Sequence, residues 1–490
     1  MNSHISKTPL SERCDDTLNY TQWNQINWKS VYRTVNRLQT RIAKAAEIGN
    51  WNLVKRLQHL LTHSFHAKLL AVKTVTRNSG SRTPGIDGIV WLNGSDKLSA
   101  AYCLTDRHYK AMPLKRKLIP KPGKSQKRPL SIPTMYDRAM QKLYALALQP
   151  IAEVNADLRS FGFRLYRSAH DACQYTFLCL RHPKSAEWIL EGDIKGCFDN
   201  ISHSWILENI PIDKAIVKQF LKAGFIYDDI LHPTSSGTAQ GGIISPILAN
   251  MALDGMEGLI HSKFPIAKVH FIRYADDFLV TAPTKEVAEA IKFEISRFLE
   301  KRGLHLSDEK TIITHINDEF SFLGWNFRKY SGVLLIKPSN DSLTRITNKI
   351  RGIFHRAKAW SQDKLIEELN PVIEGFANYN KHVVSKDAFR KMDYILWRML
   401  QNWANRRHSN KGRKWVANKY WHSEGERSWV FKTRQNKLSL FADTKIQRYR
   451  MVKLDQNPYL DKRYFYNRRN KGKQPESDIQ TKLPSFASAH

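Results

Sequence analysis

The chain is poor in cysteine, in acid and in long apolar runs. Its five cysteines are Cys14, Cys103, Cys173, Cys179 and Cys197, none follows Cys197, and no two sit in a Cys-x-x-Cys pair. That spacing argues against a disulfide framework and a structural zinc site, and it suits a reducing cytoplasm. No stretch approaches the ~18 apolar residues of a membrane span, so no membrane partner is expected. Residues 1–26 carry Glu12, Asp15 and Asp16 and no apolar core, and read as a loose tail rather than a secretion or transit signal. No internal repeat is evident. Acid is the scarcest class relative to its counterpart: 45 Asp+Glu face 78 Lys+Arg in 490 residues, a formal charge of +33. A surplus that large creates a field for a polyanion and makes its binding salt-dependent. A basic ribosome-associated or membrane-surface protein is the bland alternative. At 42% hydrophobic the chain can build full cores, and its length suggests about three domains.

Helical periodicity runs through residues 27–84: Trp28, Val31, Val35, Leu38 and Ile42, then Trp51, Val54, Leu57, Leu60 and Leu61. Arg33, Arg37, Arg41 and Lys44 interleave. Thr83-Pro84-Gly85-Ile86-Asp87-Gly88 closes this piece as a turn. Ser245-Pro246 reads as a helix start, Ser as N-cap and Pro in the first turn, with Ile247, Leu248, Met251, Leu253, Met256 and Leu259 continuing one apolar helix. The glycines before it let backbone approach a bound molecule closely. After Lys337-Pro338 a basic helical segment begins. Six of the thirteen tryptophans lie beyond residue 340, and their helical spacing places many in a core.

Two acid clusters carry the chemistry. In His270-Phe271-Ile272-Arg273-Tyr274-Ala275-Asp276-Asp277-Phe278-Leu279-Val280-Thr281, two apolar strands flank adjacent carboxylates, which reads as a hairpin with acid at its tip. Upstream, Trp188-Ile189-Leu190-Glu191-Gly192-Asp193 delivers a third carboxylate at a strand end. A solvated acidic turn and a helix-capping acid are the plain alternatives. Together, carboxylates from separate strands suit a pair of hard divalent cations roughly 3.5–4 Å apart in phosphoryl transfer. Strand alternation makes the two hairpin acids unequal, with Asp276 expected as the closer partner of Asp193 and Asp277 more peripheral.

These stretches, with Ile119-Pro120-Lys121-Pro122-Gly123-Lys124, Arg128-Pro129-Leu130-Ser131-Ile132-Pro133-Thr134, Gly237-Thr238-Ala239-Gln240-Gly241-Gly242-Ile243-Ile244-Ser245-Pro246 and Phe322-Leu323-Gly324-Trp325, occur in one order over residues 27–466. In that order the chain resembles the group II intron-encoded reverse transcriptases, the intron maturases. The resemblance implies an α+β right-hand polymerase: fingers over 85–185, a palm of antiparallel sheet with helices over 186–336, a helical thumb or maturase domain X over 337–420, and a basic DNA-binding-like tail over 421–490. The polar end from Asn470 reads as disordered, and the lack of paired cysteines there predicts no endonuclease domain.

For the site, the resemblance implies two Mg²⁺ ions, with Mn²⁺ as a substitute, held by Asp193, the Ile194 backbone, Asp276 and Asp277. Lys121 and Arg128 would grip the triphosphate of a dNTP, and Lys310 would stand near the leaving pyrophosphate as a general acid. Phe198 would exclude a 2′-hydroxyl, and Gln240 with Gly241 would approach the sugar or template base pair. Phe322-Leu323-Gly324-Trp325 would support the primer end. The implied partners are an RNA template, group II intron RNA recognised partly through Asn370-Pro371-Val372-Ile373-Glu374-Gly375-Phe376-Ala377-Asn378-Tyr379, a DNA primer and target DNA, in the cytoplasm or, in a bacterium, at the nucleoid. A host-domesticated reverse transcriptase for repair or antiphage defence, and a non-enzymatic RNA-folding maturase, are the alternatives.

Overall fold

The computed structural model describes residues 20–120 and 127–470. After a short helix Tyr20–Gln25 come helices Trp28–Glu47, Trp51–His63 and Phe65–Val75, the first two of these three capped by Asn27 and Asn50, whose side chains accept from Ser30 and Leu53 amides. Val31, Val35, Leu38 and Ile42 are buried against the long helix Met135–Asn155, and Gln39 donates to the Leu146 carbonyl at 2.8 Å. The periodicity is right for most of this face but not all, because Trp51 and Leu60 are exposed. Arg33, Arg37, Arg41 and Lys44 line the solvent side of the first helix.

The strands are β1 (Leu114–Pro120), β2 (Lys127–Ile132), β3 (Trp188–Asp193), β4 (Phe225–Tyr227), β5 (Ile230–His232), β6 (His270–Tyr274), β7 (Asp277–Ala282), β8 (Ile312–His315), β9 (Phe320–Phe322), β10 (Trp325–Tyr330), β11 (Val333–Pro338), β12 (Trp421–Glu424) and β13 (Arg427–Phe431). The central sheet has the order β6-β7-β3-β8, every pair antiparallel. A second sheet, β2-β1-β4-β5, contains a parallel β1–β4 pair. A third runs β11-β10-β9. Helix Lys285–Glu300 covers the central sheet with Ala288, Ile291, Ile295 and Leu299.

Beyond Pro338, Ser339 caps helix Asn340–Arg356, and with Gln362–Asn380 and Lys386–Arg407 it encloses a separate core of Ile350, Ile353, Leu365, Leu369, Phe389, Leu396 and Trp403. Trp403 and Trp421 are buried, whereas Trp397, Trp415 and Trp429 are exposed, so about half of these rings serve packing. Two local expectations need correction. Helix Ser245–Leu253 is preceded by Ile244 as N-cap, so Ser245 is already inside and makes no cap. The apolar run also breaks at Asp254 and Gly255, the latter at φ 97°, before Met256–Lys263 begins. Cys173, Cys179 and Cys197 are free thiols. Among the described residues no helix is long and apolar enough to cross a membrane.

Candidate active site

The acid hairpin forms as its sequence directs. Tyr274 and Asp277 are register partners, so Ala275 and Asp276 make a two-residue turn. Ala275 takes φ 58°, a left-handed value that such tight turns require and that glycine usually supplies. The surroundings hold it there. Gly162 lies so close that an added Cβ would stand 2.3 Å from the Ala275 nitrogen. Arg273, wholly buried in the strand before the turn, bonds Asp254 at 2.5 Å and Asn250 at 3.2 Å. Its backbone is bonded to Arg159 and Phe161.

Strand β3 brings the third acid alongside. Asp193 sits opposite Asp277 in the β3–β7 register, and Gly192 sits opposite Phe278. The Phe278 ring lies over Gly192 so tightly that a Cβ there would meet Cζ at 2.0 Å. Backbone bonds from Ser307 to the Asp193 carbonyl (2.8 Å) and from Lys195 to the His305 carbonyl (2.9 Å) pin the strand end. The register thus gives the cross-strand place to Asp277 rather than to Asp276. Asp276 is the more enclosed of the pair, and Asp277 is exposed.

The electrostatics follow from three acids on one edge. Desolvation, then the Asp276 and Asp193 charges, push the Asp277 carboxyl up to about 7. Although Asp277 is open to water on one side, its neighbours crowd the other. Burial first, and Asp193 next, raise the Asp276 carboxyl, while Lys310 and Arg128 act in the opposite sense. Lys310 Nζ lies 2.7 Å from Asp193 Oδ2. Among the described residues no three acidic, His or Cys side chains close into a ready cluster of metal donors, and Asp193 is turned to Lys310 instead. The donor chemistry nonetheless suits a hard cation: oxygen ligands whose mutual repulsion a divalent charge relieves.

Around this edge stand the other expected residues. Phe198 is half-buried at the start of the Cys197–Asn200 turn, edge-on to Phe163 at 6.1 Å. Gly237 packs against Asp199, where a Cβ would meet the Asp199 carbonyl oxygen at 2.4 Å. The Gln240 carbonyl accepts from Ser131 at 2.8 Å, and Gly241, at φ 111°, lies against the Ser131 carbonyl. Gln240 Oε1 is buried without a partner. Strands β1 and β2 form the expected hairpin, with Arg128 exposed near its end. Lys121 lies outside the described residues. The Leu323-Gly324 turn, at φ 53° and 84°, joins β9 to β10. Tyr379 donates to the Leu323 carbonyl at 2.9 Å and stacks on Trp325, whose indole donates to Asn380 at 2.9 Å.

Several supporting residues escaped the sequence reading. Arg273 was visible as a cation inside an apolar strand, a position that demands a buried acid. Gly192 and Gly162 gave no signal, because close approach is a property of two distant segments. Arg138 is also structural: it binds the Pro133, Gly80 and Thr83 carbonyls and so clamps the Thr83-Pro84 turn onto the long helix. Asn370 and Glu374 are engaged within the chain, with Lys437 and Ser439.

Residues 119–327 match the reverse transcriptase (RNA-dependent DNA polymerase) family, residues 23–104 the N-terminal domain of reverse transcriptase, and residues 343–421 the group II intron maturase-specific domain. The chain is 30% identical over 334 residues to Protein YkfC of Escherichia coli, covering 59% of this chain and 87% of that one. It is 30% identical over 378 residues to the group II intron-encoded protein LtrA of Lactococcus lactis, covering 60% of this chain and 62% of LtrA, under two thirds of that relative's length. Maturase-like protein 1 of Euglena gracilis is 24% identical, over 76% of this chain and 79% of its own. Telomerase from Candida albicans aligns at 14% identity over 63% of this chain and 61% of that one, with a TM-score of 0.34, too loose to carry weight.

Proposed function

Because the chain belongs to the group II intron-encoded reverse transcriptases, we propose that it copies RNA into DNA by extending a primer 3′-hydroxyl with dNTPs at the Asp193, Asp276 and Asp277 edge. The observation that carries this reading is the register of Asp193 against the acid hairpin, with Lys310 on Asp193. Asp193, the Ile194 carbonyl, Asp276 and Asp277 would hold two Mg²⁺ ions, or Mn²⁺ in their place. Such ions supply charge stabilisation for an in-line displacement and a lower pKa for the attacking hydroxyl.

The protein's own residues then position the reactants. Arg128 reaches the hairpin electrostatically and would clamp the triphosphate, with Lys121 beside it. Lys310 would leave Asp193 for the departing pyrophosphate and donate a proton to it. The Phe198 ring, braced by Phe163, would fill the space of a 2′-hydroxyl. Gln240 and Gly241 would approach the sugar and the template base pair. The Leu323-Gly324 turn, tied to Tyr379, would carry the primer end. The right-hand layout assigns fingers to 85–185, palm to 186–336, thumb to 337–420 and a DNA-contacting basic part to 421–490. The maturase-specific match favours intron RNA as the bound template and splicing aid as a second role. The test is primer extension on an RNA template with Mg²⁺ and dNTPs. Processive cDNA supports the reading, and no extension with dNTPs under any divalent cation overturns it.

A further inference from the structure

The chain beyond residue 421 lies outside all three matched domains, yet it is not a free tail. The Gln447 backbone N–H donates to the Lys381 carbonyl at 2.8 Å, at the end of the helix Gln362–Asn380. Val452 donates at 2.8 Å to Asp171, a fully buried acid that also accepts from Ser168 and faces Arg468 at 3.5 Å. Further on, the Tyr459 carbonyl accepts from Thr40 at 3.3 Å, on the N-terminal helix. The segment therefore crosses from the C-terminal helical domain to the first helix and encloses a cleft of about 980 Å³ on the way.

Two features of this cleft fit together. Its walls carry five cations, Lys381, Arg448, Arg450, Lys453 and Arg468, and none of its described lining residues is acidic. Arg448 and Arg450 are exposed, and both line the cleft. Four of the other lining groups are rings, Tyr449, Tyr464, His170 and His382, and the rest are Asn378, Gln447, Met451 and Asn467. Tyr449 lies 5.3 Å from His170 and 5.9 Å from His382, centroid to centroid. Burial and the neighbouring His170 and Lys381 charges lower His382 to about 4, so its ring is neutral at physiological pH. Its Nε2 is buried without a partner. Cationic walls bind phosphate, and neutral rings stack on bases.

We propose that this cleft, built jointly by residues 168–171, 378–382 and 447–468, binds an unpaired stretch of polynucleotide, phosphates on its arginines and a base against its rings. A continuous duplex is disfavoured, since stacking on neighbouring base pairs covers the faces that would meet the rings. RNA and DNA strands share this chemistry, and the assay separates them. An acidic peptide would satisfy the cations but leave the rings unused.

The experiment is fluorescence anisotropy of fluorescein-labelled single-stranded RNA and DNA on the full chain, compared with a template–primer duplex. Arg448→Glu with Arg450→Glu is set against Lys285→Glu with Lys301→Glu, which changes net charge equally at exposed positions at the two ends of helix Lys285–Glu300. The cleft pair should weaken single-strand binding about tenfold or more and lower the salt slope by about 1.4, at 0.7 per phosphate contact on single strands. The control pair should change both far less, and duplex binding and primer extension at saturating duplex should hold. The strand type that loses more names the natural ligand. Equal losses from both pairs, an equal loss on duplex, or displacement of the strand by polyglutamate at matched charge would each overturn the proposal. Photocrosslinking of a 4-thiouridine strand to wild-type protein is independent of any variant's folding: adducts within 447–468 support the cleft, and their absence refutes it. Extension at saturating duplex is read separately, so failure here leaves the polymerase reading untouched.

Discussion

Asp277 is the residue whose titration reports most on the site. Its carboxyl is pushed up to about 7 from an ordinary 3.8. A raised carboxyl favours the protonated folded state, so it costs stability as pH climbs from about 4 through 7 and nothing below 4. Asp277→Asn removes that cost. In chelator, its Tm should match wild type at pH 4 and exceed it by about 2 °C at pH 8, and Mg²⁺ should then raise the wild-type Tm more than the variant's. A variant Tm below wild type at pH 8 would show that the acids do not repel one another. Phe198 makes a separate residue-scale prediction. Phe198→Val should raise ribonucleotide incorporation relative to dNTPs by at least about tenfold in single-nucleotide extension, and unchanged discrimination would place the gate elsewhere. At this scale the sequence was most legible where a residue type is chemically odd for its setting, as with adjacent acids between apolar strands. The order of the two acids was less so. Alternation named Asp276 as the nearer partner of Asp193; the backbone register, which depends on the pairing of distant strands, sets Asp277 opposite Asp193, and the Asp193 charge acts on both hairpin carboxyls.

Among the elements, the central hairpin depends on two close approaches rather than on its own propensity. The Phe278 ring covers Gly192 one residue before Asp193. Gly192→Ala should force that ring aside, cost about 1–3 kcal/mol by overpacking, and weaken the Mg²⁺ dependence of extension. Adding Phe278→Leu should return part of the stability in denaturant titration. If Gly192→Ala is neutral, the ring is not what fixes the Asp193 strand end. Periodicity made the N-terminal helices and the central strands readable, because each buries one face. It could not foresee the β1–β4 parallel pair, since Phe225–Tyr227 is too short to show a period. Nor could it separate one apolar helix from two, broken at Gly255.

For the whole molecule, charge and catalysis have different seats. More than half of the +33 surplus lies beyond residue 340, whereas the acids that would work on the primer occupy one sheet edge. Template binding should therefore owe most of its strength to counterion release and little to the acid hairpin. The C-terminal segment was the least legible part. Its packing through Asp171 and Tyr459 joins residues hundreds of positions apart, and polar composition alone reads as a tail. The most direct measurement is single-turnover primer extension by Asp276→Asn on an RNA template, with the template–primer Kd taken on the same preparation. The account predicts extension lost by at least about a thousandfold, with Kd and its salt slope within about threefold of wild type. Extension that survives the substitution, or a Kd that falls away in step with it, would contradict the metal-holding role of that acid.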